Sequence, residues 1–188
     1  MRIGIFGGCF NPPHNMHKQI ALDLISNGYL DKVIYVPTGN RYNKKDLIDV
    51  KDRYNMLKIM TKDNKNLEVS DFEVKNELVY TYQTLDYFRK QYPYDEVYFI
   101  CGSDNLKEFC SWKRFKYILD NYKILVISRN SLGSNLTNSY NNPNIILTNI
   151  RESDLSSTKV RESIKEGRYN CEVESGVLEY IKKNRLYV

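Results

Sequence analysis

The sequence has no apolar run near the ~18–20 residues that a bilayer-crossing helix needs, so a membrane-spanning architecture is excluded as its organising principle. Its four cysteines, Cys9, Cys101, Cys110 and Cys171, form no C-x-x-C pair, which excludes a zinc ribbon and a thioredoxin-type motif. Residues 1–8 are too short, and too soon broken by Gly7 and Gly8, to act as a secretion signal. The thiols are therefore expected to be reduced, in a cytoplasmic protein with no membrane partner. Neither charge sign dominates: 28 Lys and Arg against 23 Asp and Glu give a net +5, spread evenly along the chain. That excess suits phosphate-bearing ligands but is too weak to mark a dedicated nucleic-acid binder. No internal repeat is visible. What remains is a folded composition, 41% apolar and 27% charged over 188 residues, long enough to bury a core without disulfides or metal staples.

Apolar periodicity reads as strands alternating with helices. Strands are expected at Arg2–Phe6, Lys32–Val36, Leu67–Val74 (extended), Glu96–Cys101, Tyr122–Ser128 and, briefly, Ile145–Leu147. Helices are expected from His14 to Asn27-Gly28, over Val50–Met60 with Tyr54, Leu57 and Ile59 among its apolar positions, and over Thr81–Tyr92. Further helices are expected over Lys107–Leu119 with a break near Ser111, over Ser156–Glu166 and over Val173–Lys183. Arg41–Asp49 and Ser131–Asn144 read as loops, the first of them mobile. This alternation predicts an α/β fold, a doubly wound parallel sheet with right-handed crossovers. One domain is expected over residues 1–188, with a C-terminal helical segment at about 156–188. Ligands of such sheets sit beyond the carboxyl ends of the strands, at a topological switch point.

The informative residues follow strands. Gly7-Gly8-Cys9-Phe10-Asn11-Pro12-Pro13 cannot be helix or strand, and it leads into His14-Asn15-Met16-His17. Glycines let backbone N–H groups approach an anion, and a helix opening at His14 adds its positive end. Histidines at i and i+3 project to one side of the first turn, where both can donate to phosphate oxygens. Two unrelated surface histidines are the plain alternative. A metal site built from His14, His17 and Cys9 is a weaker one, since no further ligand lies nearby in sequence. Ser156-Ser157-Thr158 with Arg161 one turn on is either an ordinary N-cap or a second phosphate contact. Asp104, after Gly102-Ser103, is either an N-cap or a ribose ligand. Trp112, the sole tryptophan among 16 tyrosines and seven phenylalanines, is either a core residue or a stacking platform.

Taken together, these segments resemble the nucleotidyltransferase superfamily marked by an H-x-G-H or T-x-G-H loop and a late I-S-S-T-x-x-R helix start. Within it the chain is similar to the bacterial nicotinate-mononucleotide adenylyltransferases. The resemblance runs through Gly4–His17, Val36–Asn40 with Lys44-Lys45, Tyr80–Leu85, Gly102–Leu106 with Trp112, Leu155–Arg161, and the Tyr180-Ile181…Leu186-Tyr187 tail. It implies a Rossmann-like fold of the nucleotidyltransferase α/β phosphodiesterase type. It also implies transfer of the adenylyl group of ATP to nicotinate mononucleotide, giving deamido-NAD and pyrophosphate. Carried over, His14, His17 and Arg161 would act on the phosphates. Gly8, Cys9, Phe10, Gly102, Asp104, Ser156 and Ser157 would hold ATP. Asn40, Lys44, Thr81, Tyr82 and Trp112 would line the mononucleotide pocket. Other acceptors, such as nicotinamide mononucleotide or phosphopantetheine, and a non-catalytic nucleotide-binding regulator are the alternatives. A homo-oligomer is left open.

The chain departs from the pattern at four points. Met16 stands where Gly is usual and adds a side chain near phosphate. Asn11 replaces Asp and removes a charge, Cys9 replaces Thr or Ser, and Val79 replaces the Ser before Tyr80-Thr81. Since a phosphomonoester acceptor is already anionic, the reaction needs alignment and charge stabilisation rather than a general base. Mg²⁺ is the expected cofactor, carried on substrate phosphates and water and without protein ligands.

Overall fold

Six largely apolar runs pair side by side, all parallel, in the order β3-β2-β1-β4-β5-β6. They are β1 (Arg2–Gly8), β2 (Lys32–Pro37), β3 (Leu67–Val69), β4 (Glu96–Gly102), β5 (Lys123–Arg129) and β6 (Ile145–Glu152). The computed structural model describes residues 1–41, 46–76, 79–129, 142–153, 155–169 and 172–188. The helices among them are α1 (Asn15–Ser26), α2 (Val50–Thr61), α3 (Phe72–Lys75), α4 (Thr81–Gln91), α5 (Ser103–Lys107), α6 (Phe115–Asn121), α7 (Ser157–Lys165) and α8 (Ser175–Lys183). No helix is long and apolar enough to cross a membrane among the described residues.

Side chains alternate across the strands, and that alternation sorts the core into two layers. Phe6, Val33, Tyr35, Ile100 and Leu125 join α1, α2, α7 and α8 on one face. Ile5, Ile34, Val36, Phe99 and Val126 join α4, α5 and α6 on the other. The sheet is thus doubly wound, as expected. Its strand order reverses between β1 and β4, whose pairing runs from Arg2↔Glu96 to Phe6↔Ile100. The loops leaving these two strands therefore open side by side at the carboxyl edge, the place where such sheets bind ligands.

Three elements differ from the sequence expectations. Leu67–Val74 is not one extended run: β3 stops at Val69, and Phe72–Lys75 is a helical turn. Its apolar-polar alternation imitates a strand, while the Ser70 hydroxyl, accepting from the Phe72 N–H at 3.2 Å, starts a turn. The helix expected over Lys107–Leu119 breaks near Ser111 as expected, but its first part is only the end of α5 and a 3₁₀ turn at Phe109–Ser111, before α6. Arg114 takes a left-handed φ of 58° between the last two. The last strand is longer than Ile145–Leu147 because a bulge opposite Val126 and Ser128 shifts the pairing, which then continues to Arg129↔Glu152. Buried Thr148 bridges the shift with its hydroxyl on the Val126 carbonyl at 2.9 Å. The expected loop at Ser131–Asn144 lies mostly outside the described residues, as does Cys171.

Gly4 has no room for a side chain: a Cβ there would lie 2.3 Å from Leu30 Cδ1 and 2.7 Å from Ile100 Cδ1. Both neighbours are themselves buried. Gly4→Ala is therefore expected to cost ~1–3 kcal/mol, read as a lower urea midpoint with unchanged slope.

Candidate active site

The loop after β1 is held by its own aromatic ring. Phe10 turns inward at φ 46° and is 3% exposed. Its ring packs edge-on to Phe6, Tyr35 and His17 with centroids 4.9–5.6 Å away. The ring also lies over Gly8, where a Cβ would sit 3.0 Å from it. With the side chain committed to the core, the backbone of Gly8, Cys9 and Phe10 is what remains to line the site.

His14 is the N-cap of α1 and His17 its third residue. The His14 N–H donates to His17 Nδ1 at 3.1 Å, so in the neutral His17 ring the proton resides on Nε2. The two rings stack with centroids 3.7 Å apart and 25° between planes. His14 is 2% exposed and His17 is half-buried. The buried Tyr35 hydroxyl, whose pKa burial pushes up, donates to the His17 carbonyl at 2.9 Å. The Met16 side chain packs against the core layer that holds Phe6.

The start of α7 closes onto the same loop. Ser157 Oγ donates to the Pro12 carbonyl at 2.9 Å, and Arg161 Nη1 donates to the Asn11 carbonyl at 2.9 Å. These bonds span 145 and 150 residues. Ser156 caps α7, accepting from the Lys159 N–H at 3.3 Å. Neither α1 nor α7 carries an acidic residue in its first turn, so two positive helix ends meet at one loop. The capping reading of the serine-arginine segment is met by Ser156, while Ser157 and Arg161 tie α7 to the carbonyls of the loop after β1.

Asn11 is a hub. Its Nδ2 donates to the Asp46 carbonyl at 2.7 Å, and its Oδ1 accepts from Tyr187 Oη at 2.9 Å and from the Ile48 N–H at 3.4 Å. A donor facing a carbonyl and an acceptor facing an N–H fix the amide's orientation. A carboxylate could not make the first bond, so asparagine here replaces charge with a tie to the 46–48 segment. Tyr187 is 8% exposed, and the C-terminal tail thereby reaches the loop. Upstream, Tyr180 Oη donates to Asp52 at 2.8 Å and accepts from Asn55 at 3.0 Å, docking α8 on α2.

The remaining expected residues that are described lie on the same edge of the sheet or beside it. Gly102 ends β4 and caps α5; Asp104 is exposed in the first turn and is not the cap. Thr81 and Tyr82 open α4. Tyr82 and Trp112 both rim the second core layer. Trp112 is half-buried, 5.8 Å from Phe99 and 5.2 Å from Phe109, so its inner face serves the core. Asn40 has both amide ends in use, donating to Asp49 at 3.0 Å and accepting from the Val50 N–H at 2.7 Å. Cys9 Sγ accepts from the Thr38 hydroxyl at 3.7 Å. Lys44 and Lys45 lie outside the described residues. A shallow hollow of about 280 Å³ lined by Arg89, Asp95, Tyr98 and Lys123 sits at the amino ends of β4 and β5, away from these loops.

Two residues escaped the sequence reading. Arg53 on α2 has no exposed surface. It donates to the carbonyls of Cys9 (2.9 Å), Thr38 (2.7 Å) and Ile48 (3.0 Å). Burial lowers its pKa, against the pull of Cys9, Tyr187, Asp49 and Glu73. Its signal was present: Val50, Arg53, Leu57 and Met60 share the helical period of the buried face, and Tyr54 and Ile59 do not. Glu73 on α3 accepts from the Thr84 hydroxyl at 2.6 Å. Burial pushes its carboxyl up to about 7, opposed by Thr84, by the Gly39 N–H and by Arg53.

No group of three or more His, Cys, Asp or Glu side chains could hold a metal ion among the described residues. The donors gathered here are imidazole, guanidinium and helix N–H groups, a set for anions rather than cations.

The family model for cytidylyltransferase-like proteins matches residues 5–163. The chain belongs to the cytidylyltransferase-like family. Among its relatives, the "Probable nicotinate-nucleotide adenylyltransferase" of Clostridium acetobutylicum is 36% identical over 98% of each chain. The protein of the same name from Caldicellulosiruptor saccharolyticus is 37% identical over 100% of this chain and 99% of its own. The solved Plasmodium falciparum nicotinic acid mononucleotide adenylyltransferase complexed with NaAD superposes with a TM-score of 0.82 at 21% identity, covering 99% of this chain and 97% of that one. This cytidylyltransferase-like chain shares their fold from end to end.

Tyr187→Phe keeps the buried ring and removes only the bond to Asn11. It is expected to cost ~1 kcal/mol in urea unfolding. It is also expected to raise amide exchange at Ile48, whose N–H shares the Asn11 oxygen.

Proposed function

We propose that the chain transfers the adenylyl group of ATP to nicotinate mononucleotide, releasing pyrophosphate and forming deamido-NAD. The observation that carries this reading is the closure of α7 onto the β1 loop through Ser157–Pro12 and Arg161–Asn11. It places two imidazoles, a guanidinium and two helix N-termini around one loop. The full-length similarity to proteins named nicotinate-nucleotide adenylyltransferase supports the choice of acceptor.

In this reading His17 donates from Nε2 to the phosphates, its tautomer set by the His14 N–H. The His14 ring, stacked on it, restricts its rotation. Arg161, held through Nη1 on the Asn11 carbonyl, presents its other N–H groups to a phosphate oxygen. Phe10 and its neighbours contribute N–H groups, and Gly102 and Asp104 take the adenylate ribose. Thr81, Tyr82, Asn40, Lys44 and the outer face of Trp112 receive the mononucleotide. Its phosphate attacks the α-phosphorus, one P–O bond forms and the bond to pyrophosphate breaks. No side chain need remove a proton, because the attacking oxygen is already ionised. Mg²⁺ on the ATP phosphates would supply charge neutralisation, held by substrate and water. The reading makes the chain a cytoplasmic enzyme.

Pyrophosphate release from ATP is expected with nicotinate mononucleotide and to be weaker with nicotinamide mononucleotide. Activity with phosphopantetheine alone would reassign the acceptor, and ATP binding without release under any acceptor would favour a regulator. His17→Ala is expected to lower kcat by at least ~10²-fold, the loss typical of one transition-state donor. Near-normal turnover in a folded variant would remove His17 from the mechanism.

A further inference from the structure

The turn that follows Trp112 runs against the preferences of its residues. Trp112–Phe115 is a four-residue turn, closed by the Phe115 N–H on the Trp112 carbonyl at 3.1 Å. Its third residue, Arg114, is left-handed at φ 58° and ψ 35°, a slot that ordinarily falls to glycine or asparagine. A Cβ there strains the backbone, and strain of this kind persists where the side chain is needed. The Arg114 guanidinium lies between two rings, 5.1 Å from the Tyr82 centroid on α4 and 5.0 Å from the Tyr117 centroid on α6. Lys113, the residue before it, sets its ammonium 4.4 Å from the Tyr80 centroid. Tyr80 and Tyr82 flank Thr81, with ring planes 11° apart and centroids 6.3 Å apart. Two consecutive cations thus rest on two near-parallel rings, beside the pocket assigned above to the mononucleotide.

Neither cation is neutralised. Both residues are exposed, and neither side chain makes a hydrogen bond or an ion pair among the described residues. Asp86, the acid of α4 that faces α6, is occupied: its Oδ1 accepts from the Tyr117 hydroxyl at 2.8 Å and from the Tyr122 hydroxyl at 2.5 Å. The first turn of α4 carries no acidic residue. A ring face holds a cation without consuming its N–H donors, so the guanidinium fork stays open to an anion.

We propose that Arg114, supported by Lys113, selects the acceptor by charge, favouring a pyridine mononucleotide that carries a carboxylate over one that carries a neutral amide. The proposal rests on the adenylyl-transfer reading for its substrate class, and it adds side chains that decide between two acceptors of that class. The selection is two-sided. The pyridine nitrogen bonded to ribose is positive in both mononucleotides. In nicotinate the ring carboxylate balances that charge and accepts charge-assisted hydrogen bonds. In nicotinamide the ring stays a net cation, and a cationic rim repels it. Attraction of one acceptor and repulsion of the other move the same ratio. Because both side chains are exposed, salt screens the effect.

The test measures kcat/KM with nicotinate and with nicotinamide mononucleotide, at fixed ATP and Mg²⁺, for wild type, Arg114→Gln, Arg114→Lys and Lys113→Gln. The readout is the nicotinate-to-nicotinamide ratio, in which the shared ribose and phosphate cancel. Arg114→Gln is expected to lower the ratio about tenfold, the worth of one hydrogen bond to a charged group. Lys113→Gln is expected to lower it about threefold, as a weaker exposed pair would. Arg114→Lys keeps the charge and is expected to stay within about threefold of wild type. Added salt is expected to lower the wild-type ratio more than that of Arg114→Gln. An Arg114 that only held the turn would slow both acceptors alike, so a ratio unchanged in Arg114→Gln overturns the proposal. Arg114→Gly guards against misfolding, since glycine adopts φ 58° without strain. Its ratio is expected to fall as in Arg114→Gln.

Calorimetric titration of each mononucleotide without ATP repeats the comparison as a ratio of Kd. If wild type releases no pyrophosphate with either acceptor, yet binds nicotinate mononucleotide the tighter and loses that preference in Arg114→Gln, the adenylyl-transfer reading has failed and the charge selection has not. A wild type with no preference in either measurement overturns the charge selection, whatever its pyrophosphate release.

Discussion

The site depends on a few backbone carbonyls being captured. A loop that offers N–H groups to an anion must turn its carbonyl oxygens elsewhere, and each buried oxygen left without a donor would cost ~1–3 kcal/mol. In this chain the oxygens of Cys9, Asn11 and Pro12 are taken by Arg53, Arg161 and Ser157. The donors come from α2 and from α7, so the loop is held from two sides of the same core layer. Phe10 supplies the apolar anchor, and Asn11 extends the grip to the 46–48 segment and to the C-terminal Tyr187.

That arrangement explains how a chain with two histidines, and no acidic cluster around them among the described residues, can serve phosphate chemistry. Positive potential comes from helix ends and guanidinium groups already fixed by structural bonds, so little reorganisation is needed when charge moves between phosphates. The His14–His17 contact is part of the same economy of motion. One backbone N–H sets the tautomer of the half-buried His17 ring, and stacking sets its plane. The C-terminal tail belongs to this scaffold too. Tyr180 docks α8 on α2 beside Arg53, and Tyr187 closes on Asn11.

Much of this was legible in the residues. Near-continuous apolar strands between amphipathic helices point to a parallel sheet, and the glycine-proline loop before His14 points to its carboxyl edge. Short or interrupted elements were not legible. The turn at Phe72–Lys75 is barely one helical turn long, too short to show a period, and the bulge in β6 depends on a neighbour strand rather than on local sequence. Arg53 sat in the buried period of α2 and was passed over because a charge there contradicts the usual pattern, although backbone carbonyls satisfy it. Glu73 had no local signal, since its partner Thr84 meets it only in the fold. Met16, which departs from the usual motif, packs its half-buried side chain against the core.

The account stands on His17 and Arg161 serving one polyphosphate. A double-mutant cycle on ATP affinity, with His17→Ala, Arg161→Ala and the pair measured by calorimetry, tests that most directly. Two side chains on one ligand group are expected to couple by ~0.5–3 kcal/mol. Losses that add to within ~0.3–0.5 kcal/mol would place the two residues at independent sites and contradict the account.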